Sequence, residues 1–226
     1  MPKTQVSIWY LYISVLFVAI LMISNTVASK IIQLGPFSVT GAIFLFPVSY
    51  IFGDVLTEVY GYRGSRRVIW MGFVALILMA VAYWVAGTLP SASFWQGQDA
   101  FVAVLGTAPR IVLASITGYF VGEFANSYVL SRMKVWMQGT HLWMRTIGST
   151  IIGEGLDTVF FILIAFWGVL PTAALGPIII SSYVLKVAYE ILATPLTYKV
   201  VQKLKQIEGI DTYDREINYN PFVLGE

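Results

Sequence analysis

The sequence predicts an all-α integral membrane protein with six transmembrane helices and both termini cytoplasmic, and three observations lead there. The chain is 58% hydrophobic and only 12% charged, where a soluble domain carries about 25% charged residues. Two stretches, Ile8 to Ala28 and Val68 to Leu89, contain no charge at all, and each reaches the roughly 20 residues that a helix needs to cross a bilayer core. The basic residues are also distributed unevenly. With both termini inside, eleven of the fourteen Lys and Arg residues fall on the inner side: Lys3, Arg63, Arg66, Arg67, Arg132, Lys134, Arg145, Lys199, Lys203, Lys205 and Arg215. Lys30 and Arg110 fall outside, and Lys186 lies within the last span. That is the positive-inside bias, and one helix more or fewer would scramble it.

The spans expected are 8–28, 37–60, 67–89, 110–131, 146–168 and 177–201, which make residues 1–203 one membrane domain and 204–226 a short cytoplasmic tail. The first follows "MPKTQVS"; it is too long for a signal-peptide core, lacks a clear small-residue cleavage site, and is expected to stay in the mature protein. The second comes from the apolar run Pro36 to Gly53 and ends in Asp54 and Glu58, with Pro47 inside as a kink. "GYRGSRR" then turns the chain on Gly61 and Gly64. The third helix is almost wholly apolar and is expected to face lipid. The fourth, fifth and sixth are apolar but interrupted by ionisable residues, with Pro195 near the inner end of the sixth. Trp9, Tyr10, Tyr83, Trp84, Trp143 and Trp167 lie near helix ends, where amphipathic rings favour the headgroup level.

Several function classes drop out. Without cysteine there are no disulfides or thiolate metal sites, and the single histidine, His141, cannot form a paired-histidine zinc motif. No metal or other cofactor is expected. A Gly-rich, Lys-ending nucleotide loop is missing, so ATP use would require a separate energising subunit. The basic residues serve topology, so no nucleic-acid partner is expected. An intramembrane enzyme finds no nucleophile and base pair.

What remains is an excess of acids in the membrane. Asp54, Glu58, Glu123, Glu154, Asp157 and Glu190 lie inside or at the ends of spans. A carboxylate at mid-bilayer costs about 3 kcal/mol even on the lenient insertion scale, so each must face protein, water or a ligand. They fall into patterned sets: Phe46, Tyr50, Asp54 and Glu58; Ser115, Tyr119, Glu123 and Asn126; Glu154, Asp157 and Phe161; Tyr183, Lys186, Glu190 and Thr194. Spacings of three and four put each set on one helical face. Four polar faces with aromatic edges predict one shared cavity, and one lysine cannot neutralise six acids. Glu58 is the outlying member, placed to pair with Arg63 or Arg66 at the membrane edge.

"FPVSYIFGDVLTEVYGYRGSRRVIW", with "SNTVASKII" before it and "SSYVLKVAYEILATPLTYKVV" and "EGIDTYDREINYNPF" near the end, closely resembles the queuosine precursor transporter family. The resemblance covers nearly the whole chain. It implies a six-helix protein of the cytoplasmic membrane, similar to the substrate-binding subunits of energy-coupling-factor vitamin transporters, that imports 7-deazaguanine bases for transfer RNA modification. Asp54, Asp157 and Lys186 stand at motif positions of that family, as do Asn25, Glu58 and Glu154 in many members. On that reading Asp157 or Glu154 accepts the donor edge of the base, and Lys186 or Asn25 donates to its O6. Tyr50, Phe161 or Tyr183 stacks on the ring, and Asp54, Glu58, Glu123, Asn126 and Glu190 complete the candidate binding set. An importer of another heterocycle or vitamin, proton-coupled or docked on an energising module, fits the acids as well.

Overall fold

The structure is a computed structural model that describes residues 7–35, 37–106 and 108–223. Lys3 and Pro36, used above for orientation and for the start of the second span, lie outside the described residues.

Helix α1 (Ile8–Val27) is opened by Ser7, whose hydroxyl accepts from the Trp9 and Tyr10 amides at 3.1 and 3.3 Å, the usual way of satisfying the free donors of a first turn. Its buried stripe, Ile13, Ser14, Phe17, Leu21, Ser24 and Asn25, follows helical spacing, while Leu11, Tyr12, Val15 and Leu16 face outwards. Next come two antiparallel strands, β1 (Ile31–Leu34) and β2 (Phe37–Thr40), with Ile31 opposite Thr40, and a 3₁₀ turn at Gly41–Phe44. The second span therefore begins nearer residue 46 than 37. A Gly-Pro pair is a turn signal, and the composition of the apolar run around it concealed the hairpin.

Helix α2 (Phe46–Thr88) has 43 residues and as one straight rod would measure roughly 64 Å, twice a bilayer core. It is not straight. Gly61 alone leaves helical geometry, with φ 77° and ψ 171°. The 46–60 arm starts beside the end of α1, where the Gly41 amide donates to Lys30 O at 2.7 Å, and finishes beside its start, where Tyr60 packs on Tyr10. The 62–88 arm travels back: the Tyr10 hydroxyl donates to Gly64 O near one end, and Thr26 meets Tyr83 near the other. The returning arm has two faces rather than one towards lipid. Val68, Ile69, Phe73 and Leu76 are buried, and Val74, Ile77, Leu78 and Val81 are exposed.

The short α3 (Gln98–Leu105) precedes α4 (Ala108–Trp136), α5 (Leu142–Phe166) and α6 (Thr172–Glu208). Helices α4 and α5 are the most closely packed pair, and their glycines show why. A Cβ on Gly122 would sit 2.8 Å from Gly153 O and 2.7 Å from the Asp157 Cβ, and one on Gly153 would sit 2.7 Å from the Asn126 Cβ. Without a hydrophobic drive between helices in lipid, small residues that let backbones approach provide the contact.

By length and composition, five helical stretches among the described residues can cross a membrane, against the six spans expected; the second is the one folded back at Gly61. Ser7 hydrogen-bonds Glu208, so the start of α1 and the end of α6 meet at one end of the bundle.

The segment after α6 folds under that end. The Tyr62 amide, released by the break at Gly61, donates to Asp214 Oδ2 at 2.8 Å, and Ser131 donates to the same oxygen at 2.7 Å. Arg66, fully buried, donates to Asn218 O and Asn220 O at 2.9 and 2.8 Å, and the Trp70 indole to Pro221 O at 2.7 Å. Lys134 reaches Asp211 at 2.6 Å and Thr212 O at 2.7 Å. Burial works against the Asp211 charge, yet hydrogen bonds from Lys134 and Lys205 outweigh it and hold its carboxyl below the usual range.

Candidate functional site

The centre of the site is Lys186 on α6. Its ammonium lies 2.8 Å from Glu154 Oε2 and 2.7 Å from Asp157 Oδ2, both on α5, and all three side chains are buried. The buried face of α6 runs Ser182, Lys186, Glu190, Thr194, Thr197, Val201 and Leu204, in steps of four and three. One turn of helix therefore separates the ammonium from Glu190. A buried pair of this kind repays its desolvation only when geometry and hydrogen bonding are good, and losing one partner costs about 3–5 kcal/mol.

Opposite stands the 46–60 arm. Tyr50 is buried among Asp157, Glu154 and Glu123. Asp54, one turn on, accepts from the Asn126 amide at 2.7 Å and lies within electrostatic reach of Glu190 and Glu123. Glu123 rests against the backbone of Gly53, where a Cβ would come within 2.1 Å of its carboxylate; only glycine in "FGDVLTEVY" leaves that room. Neither carboxylate oxygen of Glu123, nor either of Glu190, has a hydrogen-bond partner among the described residues.

A small cleft of about 20 Å³ opens beside Lys186 on the hairpin side, lined by Thr40, Ile43, Asp157, Thr158, Phe161, Ile162 and Ser182. Phe161 supplies its one aromatic ring. Tyr50, Asp54, Glu123, Asn126, Glu154 and Glu190 do not line it; they lie behind the ion pair or one turn towards the chain ends.

Nine of the twelve residues singled out from sequence thus converge: Tyr50, Asp54, Glu123, Asn126, Glu154, Asp157, Phe161, Lys186 and Glu190. Three are elsewhere. Glu58 sits in a basic knot with Arg145 at 2.7 Å, Lys205 at 2.8 Å and Lys134 at 3.5 Å, rather than with Arg63 or Arg66. Asn25 donates to Leu21 O in its own helix and lines a different crevice with Met79 and Tyr83. Tyr183 points along α5, donating to Ile151 O at 3.2 Å. Ser182 and Thr158 were not foreseen, although each carries a signal: Ser182 is four residues before Lys186, and Thr158 adjoins Asp157. Thr40 and Ile43 reach the cleft through the unforeseen hairpin.

Residues 40–200 match the protein family described as "Putative vitamin uptake transporter". The chain belongs to the vitamin uptake transporter family. The matched segment contains every member of the converging cluster, whereas Asn25 and the folded tail lie outside it. Among curated relatives within reach of this family member are a "Probable queuosine precursor transporter" of Bacillus subtilis (strain 168), 27% identical over 77% of each chain, and the "Queuosine precursor transporter" of Escherichia coli (strain K12), 26% identical over 69% of this chain and 68% of the relative. A "Probable queuosine precursor transporter" of Haemophilus influenzae is 25% identical over 73% and 72%. No solved structure gives a significant match. As a vitamin uptake transporter the protein is a multi-pass membrane transporter and not an enzyme.

Proposed function

We propose that this transporter imports a queuosine precursor, a 7-deazaguanine base, across the cytoplasmic membrane, and that the base binds in the cleft beside Lys186. The observation that carries the reading is the buried pair of Lys186 and Asp157 beside Phe161 in the cleft, with Glu154 behind it on the same ammonium, in a chain whose relatives are named for queuosine precursors. A 7-deazaguanine presents a ring N–H and an exocyclic amine side by side, two donors that one carboxylate accepts in parallel as it does an arginine fork. Asp157 is placed to accept them, the Lys186 ammonium to donate to O6, and Phe161 to stack. Ser182 and Thr158 are hydroxyl partners for the remaining polar edge.

Each cleft group is buried or half-buried, so an empty cleft holds a lysine satisfied by two acids, and a base must supply equivalent partners to open it. In the present conformation the space is that of a water molecule, and the base gains room by movement of the β2 and 3₁₀ segment, whose Thr40 and Ile43 form its wall. The reversal at Gly61 supports six crossings rather than five, and the Arg and Lys residues gathered at the end where α1 starts and α6 finishes support a cytoplasmic placement of that end.

The test is genetic. In cells deleted for their own precursor synthesis, the wild-type chain should restore queuosine in transfer RNA when a 7-deazaguanine base is supplied outside. Asp157→Asn and Glu154→Gln should abolish this while the protein remains folded in the membrane. Full restoration by both variants would remove the triad from the site, and restoration by none of the bases, even with the wild type, would remove the substrate.

A further inference from the structure

The acids behind the cleft are not explained by holding a base. Lys186 is paired with both Glu154 and Asp157, and Asp54 is held by Asn126. Glu123 and Glu190 are each at most 1% exposed, and none of their four carboxylate oxygens has a hydrogen-bond partner among the described residues. An ionised carboxylate so placed costs several kcal/mol. Their surroundings offer no relief. Glu123 is faced by Glu154 and Asp157 from α5, by Tyr50 and Asp54 from α2 and by Tyr119 on its own helix. Glu190 is faced by Asp54 from α2 and Glu154 from α5. Lys186, one turn from Glu190 on α6, is already engaged by both α5 acids.

We infer that Glu123 and Glu190 are proton-carrying groups that couple movement of the base to movement of protons. On one side an O–H bond forms on the carboxylate with a proton from water; on the other it breaks and the proton returns to water, so the cycle consumes nothing but the gradient. The acids are arranged for it. Lys186, Glu190, Thr194 and Thr197 follow one another in steps of about a turn on the buried face of α6, as do Tyr50, Asp54 and Glu58 on the facing arm, whose Glu58 belongs to the basic knot.

Glu154 provides the link to the base. It holds Lys186 at 2.8 Å and is the shared neighbour of Glu123 and Glu190. A base that draws the ammonium towards its own oxygen leaves Glu154 less neutralised, which favours a proton on the adjacent acids. By reciprocity, those protons favour the base.

The inference rests on the substrate reading, so the experiment separates the two. The purified protein is placed in liposomes with radiolabelled 7-cyano-7-deazaguanine, its aminomethyl analogue or queuine. Exchange against trapped unlabelled base at equal pH tests the substrate; exchange of none of the three overturns both readings. With a base that exchanges, an outward-acid gradient of one pH unit should raise accumulation by up to about tenfold per proton carried, a protonophore should abolish the gain, and trapped pyranine should report luminal acidification on addition of base. Accumulation and luminal pH indifferent to the gradient, with exchange intact, would overturn the proton inference alone. Glu123→Gln or Glu190→Gln should keep exchange and lose the gradient-driven gain; wild-type gain in both variants would overturn the assignment, and the pyranine signal decides for the wild type even if neither variant folds.

Discussion

Two glutamates singled out by the same pattern of intramembrane acids, one on α2 and one on α5, have different fates. Glu58 meets Arg145, Lys205 and Lys134 at the end of the bundle, whereas Glu154 shares Lys186 with Asp157 in the middle. The first is a structural knot. Glu58→Gln leaves Arg145 buried beside an uncharged amide, and the loss should be about 3–5 kcal/mol of stability. Thermal unfolding in detergent should show a lower midpoint, with uptake by the remaining folded fraction unchanged, the reverse of the pattern expected for Glu154→Gln. The sequence made the acids visible because the membrane penalises them wherever they stand. It did not separate Glu58 from the others, since a spacing of four describes one helix and the cations that claim Glu58 come from three other segments, 76 to 147 residues away. Tyr183 illustrates the same limit. It is one position from Ser182, and a helical step of 100° is enough to turn a ring from the cleft onto the back of α5.

At the level of the element, the helices were legible because 20 apolar residues have few alternatives in a bilayer, and the α4 and α5 contact could have been read from Gly118 and Gly122, four apart. The hairpin of β1 and β2 could not be read from hydropathy, as Ile31, Ile32, Phe37 and Val39 are as apolar as a span. The turn between the second and third spans was expected to use Gly61 and Gly64; it uses Gly61 alone, and helix resumes at the next residue. Its φ of 77° lies where side chains are strained, and a Cβ there would meet the Thr212 methyl at 2.7 Å and Asp214 Oδ1 at 2.8 Å. Gly61→Ala should therefore cost about 1–3 kcal/mol and loosen the tail, which limited proteolysis would reveal as faster cleavage after Glu208. Cleavage at the wild-type rate with an unshifted melting temperature would show that the contact carries no weight.

For the whole molecule, the last residues act as a floor beneath the helices rather than as a free tail. Arg66 and Lys134 are buried at 0% and 2% exposure, and beyond α6 lie the acceptors Asn218 O and Asn220 O of the first and Asp211 and Thr212 O of the second, which also reaches Glu58. A chain ending at Glu208 should be less stable by several kcal/mol, since buried Arg66 loses both carbonyl acceptors and buried Lys134 keeps only Glu58, and the readout is its yield and melting temperature in detergent beside the full chain. Nothing in the tail's composition announced this, because its acceptors are mostly backbone carbonyls, which every sequence has. The arrangement also imposes an order on biogenesis. The amide freed at Tyr62 waits for Asp214, 152 residues later, and at about 5–20 residues per second a ribosome needs on the order of 10–30 s to make them. Through that interval the first helical pair sits in the bilayer with its bend unfastened, and the fold is locked only after Asp214 has been translated.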